Sequence, residues 1–153
     1  MAKKIKFAVI GSPISHSRSP EIHLEFASQA NLDIEFNKVE LSKSNLDDWV
    51  HSFFLEGGKG LSVTLPFKED CLGLADEVSQ RVDKTKAINV LYNKKGKIFA
   101  DCTDGVGLVK DLVKNKKQKI EEKSILLIGA GGAARGVLPS LLEEAPKSIV
   151  VAN

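Results

Sequence analysis

Ser17 and Ser19 lie two residues apart in the segment Gly11-Ser-Pro-Ile-Ser-His16-Ser17-Arg-Ser19-Pro20. In extended backbone such residues point the same way, so their hydroxyls form a donor-rich patch. A helix start directly after them would suit a small carboxylate there. Taken alone, the segment reads more simply, with Ser19 as a helix N-cap and His16 as a loop residue. Lys68 closes Val63-Thr64-Leu65-Pro66-Phe67-Lys68 at the end of a strand. Strand ends are where α/β proteins hold their ligands. Asp104 stands in Asp101-Cys-Thr-Asp104-Gly-Val-Gly107, where a helix cap is its simplest role. A serine nucleophile built from His16, Ser17 and Asp104 fails on two counts. The chain has no G-x-S-x-G elbow around Ser17, and neighbouring His and Ser side chains in an extended loop diverge.

A second kind of chemistry is written in Ile125-Leu-Leu-Ile-Gly129-Ala130-Gly131-Gly132-Ala133-Ala134. A strand enters a glycine turn and a helix leaves it. Glycines let the backbone approach a pyrophosphate, and the helix N-terminus offers free N–H groups. About 20 residues further on, such a site reads the adenosine ribose: an acid for NAD, a nearby Arg for NADP. That position falls at Asn153. Ser148 to Asn153 holds no acid, which leans away from NAD. Residues 123–153 suffice for one βαβ unit, whereas a doubly wound dinucleotide domain has two halves.

The elements that would carry these residues follow from apolar periodicity. Strands are expected over Ile5 to Ile10, Ile34 to Leu41, Gly60 to Leu65, Ile88 to Tyr92, Lys97 to Ala100, Ser124 to Ile128 and Ser148 to Ala152. A helix opens at Ser19-Pro20-Glu21, with Ile22, Phe26, Ala27 and Ala30 as its apolar face. Others run over Leu46 to Leu55, from about Thr103, and from the glycine turn to about Glu144. The lysines at 114, 116, 117 and 119 read as a solvated helix end and linker. Alternating strands and helices imply an α/β fold with a seam at 115–123.

Bulk properties set the frame. The chain has 153 residues, 42% apolar and 27% charged, with a formal charge of +2. That balance is ordinary for a globular domain and excludes a strongly basic nucleic-acid binder. The two cysteines, Cys71 and Cys102, form neither a metal spacing nor a disulfide framework, which points to a reducing, cytoplasmic setting. The longest apolar run is too short to cross a membrane.

In this order the segments resemble the shikimate dehydrogenase family. Gly11 to Pro20 resembles its G-x-P-I-x-H-S-x-S-P loop and Val63 to Lys68 its V-T-x-P-x-K segment. Ala87-Ile-Asn89 resembles A-x-N, Thr103-Asp104-Gly105 resembles N-T-D-G, and Gly129 to Ala133 resembles the cofactor loop. The resemblance implies a shikimate-binding α/β domain at 1–103, a connecting helix and linker at 104–122, and at 123–153 the start of a Rossmann-type NADP domain, truncated. It implies NADP-dependent, reversible reduction of 3-dehydroshikimate to shikimate in chorismate and aromatic amino-acid biosynthesis. The 153-residue chain by itself is expected to be inactive or weakly active. Ser17 and Ser19 would take the carboxylate; Thr64, Lys68, Asn89 and Asp104 would take the ring hydroxyls. Lys68 and Asp104 would be the catalytic pair. Gly129, Ala130, Gly131, Gly132, Ala133 and Asn153 would face the cofactor. Ser62, Lys86, Val90 and Cys102 depart from the family pattern, and Ser62 and Cys102 would remove amide donors near the substrate. An NAD-dependent quinate/shikimate dehydrogenase and a non-catalytic shikimate-binding module stay open, as do monomer and homodimer.

Overall fold

Ile5 to Ile10 is β-branched and apolar enough to run through the middle of a sheet, and it does. In the computed structural model, which describes residues 4–153, β1 (Ile5–Gly11) lies between β2 (Ile34–Glu40) and β3 (Gly60–Val63) and is parallel to both. The helix α1 (Ser19–Gln29) connects β1 to β2, and α2 (Leu46–Leu55) connects β2 to β3. α2 buries Leu46, Val50 and Phe54, one residue per turn on a single face.

Beyond β3 the sheet changes character. A 3-10 turn at Asp70–Leu74 leads into the two-residue strand β4 (Glu77–Val78) and the short helix α3 (Gln80–Thr85). Ser79 caps α3, accepting the Val82 N–H at 3.3 Å. β5 (Val90–Lys94) and β6 (Lys97–Asp101) form a hairpin whose turn residues Lys95 and Gly96 both have positive φ. That is the turn whose twist matches flanking strands. The sheet order is β2-β1-β3-β5-β6-β4, with β5 antiparallel to both β3 and β6. Its core gathers Ile10, Leu46, Val50, Leu61, Phe67, Ile88 and Leu91.

α4 (Asp104–Lys110) continues in a wider turn over Asp111–Asn115. Then β7 (Ser124–Ile128), α5 (Gly132–Glu143) and β8 (Ser148–Ala152) form one βαβ unit with β7 parallel to β8. Lys114, Lys116, Lys117 and Lys119 are exposed, as their charge implies.

Several expectations need correction. β3 stops at Val63, because Thr64 to Phe67 already turns, with the Phe67 N–H donating to the Thr64 carbonyl at 3.0 Å. β5 starts at Val90, two residues late. Ile88 and Asn89 instead tie the strand end to Lys68 and Asp101 through backbone bonds of 2.7 and 3.1 Å. Ser19 is the first helical residue and Arg18 the cap position. The Ser19 N–H is taken by the Ser17 hydroxyl at 3.3 Å. The α1 face is also more open than its periodicity implies. Ala27 is buried, but Ile22, Phe26 and Ala30 are exposed, because α1 meets β1 and β2 at one end of the sheet. The elements between 70 and 85 are each too short to show a period, so the sequence pattern does not mark them.

Candidate functional site

All six residues expected to meet a substrate line one cavity of about 370 Å³. Ser17 and Ser19 come from the loop after β1 and the first turn of α1. Thr64 and Lys68 come from the segment after β3. Asn89 precedes β5, and Asp104 opens α4. Four chain segments distant in sequence therefore converge at one end of the strands, the usual ligand position in such sheets.

Each side chain is held by its own local structure. Phe67 is 1% exposed and pins the segment that presents Lys68. The Lys68 carbonyl accepts the Ile88 N–H at 2.7 Å, which locks it to the stretch before Asn89. The Lys68 ammonium donates to Asp104 Oδ2, and both side chains are mostly shielded from water. Asn89 donates to the other carboxylate oxygen, Oδ1, at 2.8 Å and to Thr103 Oγ1 at 2.9 Å. Its own Oδ1 accepts the Thr103 N–H at 2.8 Å. Asp104 is thus gripped by an ammonium and an amide, a combination that holds a negative charge and a set of donors at fixed positions. On the opposite wall the Ser17 hydroxyl donates to Ser19 Oγ at 3.2 Å. A carboxylate entering there would meet two hydroxyls already paired in orientation.

Asp101 supports this turn from behind. It accepts bonds from Ser79 Oγ at 2.6 Å, Arg81 Nε at 2.9 Å and the Cys102 N–H at 2.7 Å, and its second oxygen pairs with Arg81 Nη2. Burial would raise its carboxyl, but these donors and the guanidinium charge outweigh burial and hold it below the ordinary carboxylate value.

The departures from the family pattern fall in different places. Ser62 and Val90 line the cavity. Cys102 does not: the expectation that it sits near a substrate is corrected. Its side chain is 1% exposed and turned toward α5, with Sγ 3.9 Å from the Gly136 carbonyl. Burial pushes its thiol up. Lys86 takes a left-handed conformation, φ +50, at the end of α3, a position where glycine is the easier residue.

The glycine turn has the geometry a dinucleotide needs. Gly129 has φ +102, which an L side chain rarely adopts, and its N–H bonds the Ala152 carbonyl at 2.6 Å. Gly131 and Gly132 open the 12-residue α5, and an added Cβ at Gly131 meets nothing within 4 Å. Asn153 follows β8 at the same end of the parallel pair as the glycine turn. The residues present therefore fit a pyrophosphate at the helix N-terminus. The turn also abuts the substrate side: a Cβ at Gly132 would stand 3.1 Å from Lys68 Cβ. A small cleft between Thr64 to Glu69 and Gly132-Ala133 joins the two sites.

Sequence reasoning missed Thr103 and the Ser79–Arg81–Asp101 brace. Thr103 was visible as the neighbour of Asp104. The brace was not, since nothing in the spacing of residues 79, 81 and 101 implies their contact.

Residues 9–91 match the family described as shikimate dehydrogenase substrate binding domain. An NADP(+) shikimate dehydrogenase of Hahella chejuensis is 46% identical over 147 residues, covering 96% of this chain and 54% of that one. The chain spans about half the length of the curated relatives it matches. A shikimate dehydrogenase structure from Aquifex aeolicus superposes with a TM-score of 0.92 at 32% identity, covering 100% of this chain and 57% of that one. One from Thermus thermophilus, in complex with shikimate, superposes at 0.88 and 26% identity, covering 97% and 57%.

Proposed function

Since the chain belongs to the shikimate dehydrogenase substrate binding domain family, we propose that it forms the substrate side and the opening βαβ unit of an NADP-dependent shikimate dehydrogenase. The reaction would be the reversible reduction of 3-dehydroshikimate to shikimate. The observation that carries this reading is the convergence of Ser17, Ser19, Thr64, Lys68, Asn89 and Asp104 on one cavity, with Lys68 paired to Asp104.

In this reading residues 1–103 bind shikimate, 104–122 connect, and 123–153 begin the cofactor domain. The two serines orient the ring by its carboxylate. Thr64, Asn89 and the Lys68–Asp104 pair take the hydroxyls. The oxygen that changes between alcohol and ketone lies against the Lys68 ammonium, which donates to it and stabilises charge as it develops. Asp104, fixed by Asn89, holds that ammonium in place and accepts from the neighbouring hydroxyl. Gly129, Ala130, Gly131, Gly132 and Ala133 would hold the pyrophosphate, with Asn153 toward the ribose. NADP, when bound, supplies the hydride donor or acceptor. The setting would be the cytoplasm. Among the described residues no helix is long and apolar enough to cross a membrane.

Calorimetric titration with shikimate tests the reading. Wild-type binding that is lost in Lys68→Met and in Ser17→Ala/Ser19→Ala supports it. Absence of binding by the wild-type chain, or binding untouched by these changes, overturns it.

A further inference from the structure

One ring in the cavity wall has no part in the account above. His23 follows Ser19 by four residues on α1, so the two share a face of the helix. It lines the cavity together with Ser17 and Ser19, and it also lines the neighbouring apolar groove of Phe7, Ile34, Phe36 and Tyr92. Its ring stacks on Phe36 with centroids 4.5 Å apart and meets Phe26 edge-on at 6.0 Å. These contacts fix the plane of the imidazole through its faces and leave the nitrogens at its rim. Among the described residues neither nitrogen is hydrogen-bonded to the protein. Among the described residues no buried side-chain nitrogen or oxygen lacks a partner, so neither His23 nitrogen is fully buried. An imidazole offers one N–H when neutral and two when protonated.

We propose that His23 is a third carboxylate ligand of this cavity, beside Ser17 and Ser19, and that binding of the cyclic acid draws a proton from solvent onto its ring. The inference rests on the reading of the cavity as a shikimate site. Burial lowers the protonation midpoint of the free ring and so favours the neutral imidazole in the unliganded cavity. A bound carboxylate favours the imidazolium, and by linkage the protonated protein must then bind the acid more tightly.

The other charged groups nearby are accounted for. Lys68 and Asp104 face the same cavity as an ion pair, and His16 lies on its loop. Tyr92 lines the groove. On β2, packed against α1, Lys38 donates to the Ser15 carbonyl at 2.9 Å. On α1 itself Glu21 pairs with Arg18 and Glu25 accepts from Gln29.

The test follows the ring signals of His16, His23 and His51 by NMR against pH, with and without saturating shikimate, alongside affinities by calorimetry. The His23 midpoint is expected to rise on binding. Affinity is expected to strengthen about three- to tenfold for each unit of falling pH between the bound and free midpoints. His23→Gln should flatten that dependence and His16→Gln should keep it. If His23→Gln does not fold, the wild-type ring titration decides alone. Shikimate binding, seen as shifts of the Thr64 and Asn89 amides, with an unmoved His23 midpoint overturns the inference and leaves the proposed function standing. No shift at Thr64 or Asn89 at any pH overturns both.

Discussion

Gly136 of α5 lies directly against Asp104. A Cβ built there would stand 3.1 Å from Asp104 Oδ2 and 3.2 Å from Cys102 Sγ. The helix that begins at the glycine turn therefore rests on the turn that carries the candidate catalytic carboxylate. Two surface ion pairs flank this contact, Arg135 with Glu69 at 3.5 Å and Lys84 with Glu143 at 2.6 Å. Such exposed pairs contribute little, so close packing at Gly136 dominates the docking.

The helix pair α4 and α5 gives a contrast within one element. A Cβ at Gly105 would meet Ser140 Oγ at 2.5 Å and the Gly136 carbonyl at 2.8 Å, whereas one at Gly107 meets nothing within 4 Å. Gly105→Ala is expected to destabilise the protein by about 1–3 kcal/mol through overpacking. Gly107→Ala is expected to stabilise it by up to about 1 kcal/mol through helix propensity. Urea unfolding of the two variants measures both.

Lys68→Met keeps the length of the side chain and removes the charge that pairs with Asp104. Shikimate affinity should fall by more than about tenfold, since a hydrogen bond to a charged group is lost. Amide spectra outside the cavity should stay as in wild type. Asp104→Asn, which can still accept from Lys68, should lose less affinity. Equal affinity in wild type and Lys68→Met would show that the ammonium does not touch the ligand.

Asp101 makes stability depend on pH through Arg81. Its carboxyl is held below the ordinary value in the folded state. That contribution is present above the unfolded midpoint, about 4, and is lost as pH falls through the folded midpoint. Arg81→Leu is expected to cost about 1–2 kcal/mol at neutral pH, with Arg81 half-exposed to solvent. The gap to wild type should close in acid. Unfolding curves at neutral pH and at about pH 3 test the sign.

Both thiols should be inert in the folded protein. Burial first, then the nearby Asp70 and Asp47 charges, push the Cys71 thiol up to about 12, and Cys102 is raised by burial as well. The thiolate is the reactive form, so alkylation at neutral pH should run at least about 100-fold slower than in denaturant. Mass spectrometry of the labelled protein distinguishes the two sites.

The long elements and the identity of the candidate residues were legible in the chain alone. Apolar periodicity marked β1 and α2, where local pattern and burial agree, and β7, whose Leu126 and Ile128 are nonetheless exposed. Residue types and spacing pointed to Ser17, Ser19, Lys68, Asp104 and the turn at Gly129, and the family resemblance of the motifs in order added Asn89. What these residues meet was settled by packing in three dimensions. It placed the Lys68 ammonium on Asp104 across 36 positions of chain and gave Asn89 the second carboxylate oxygen. It turned Cys102 away from the cavity toward α5 and brought His23 into its wall. It also left Ile22 and Phe26 exposed on a helix whose spacing implied a buried face. Periodicity records how residues repeat along one element, while contacts depend on which elements the sheet order makes neighbours. A pairing such as Asp101 with Arg81 exists only once β6 and α3 lie side by side.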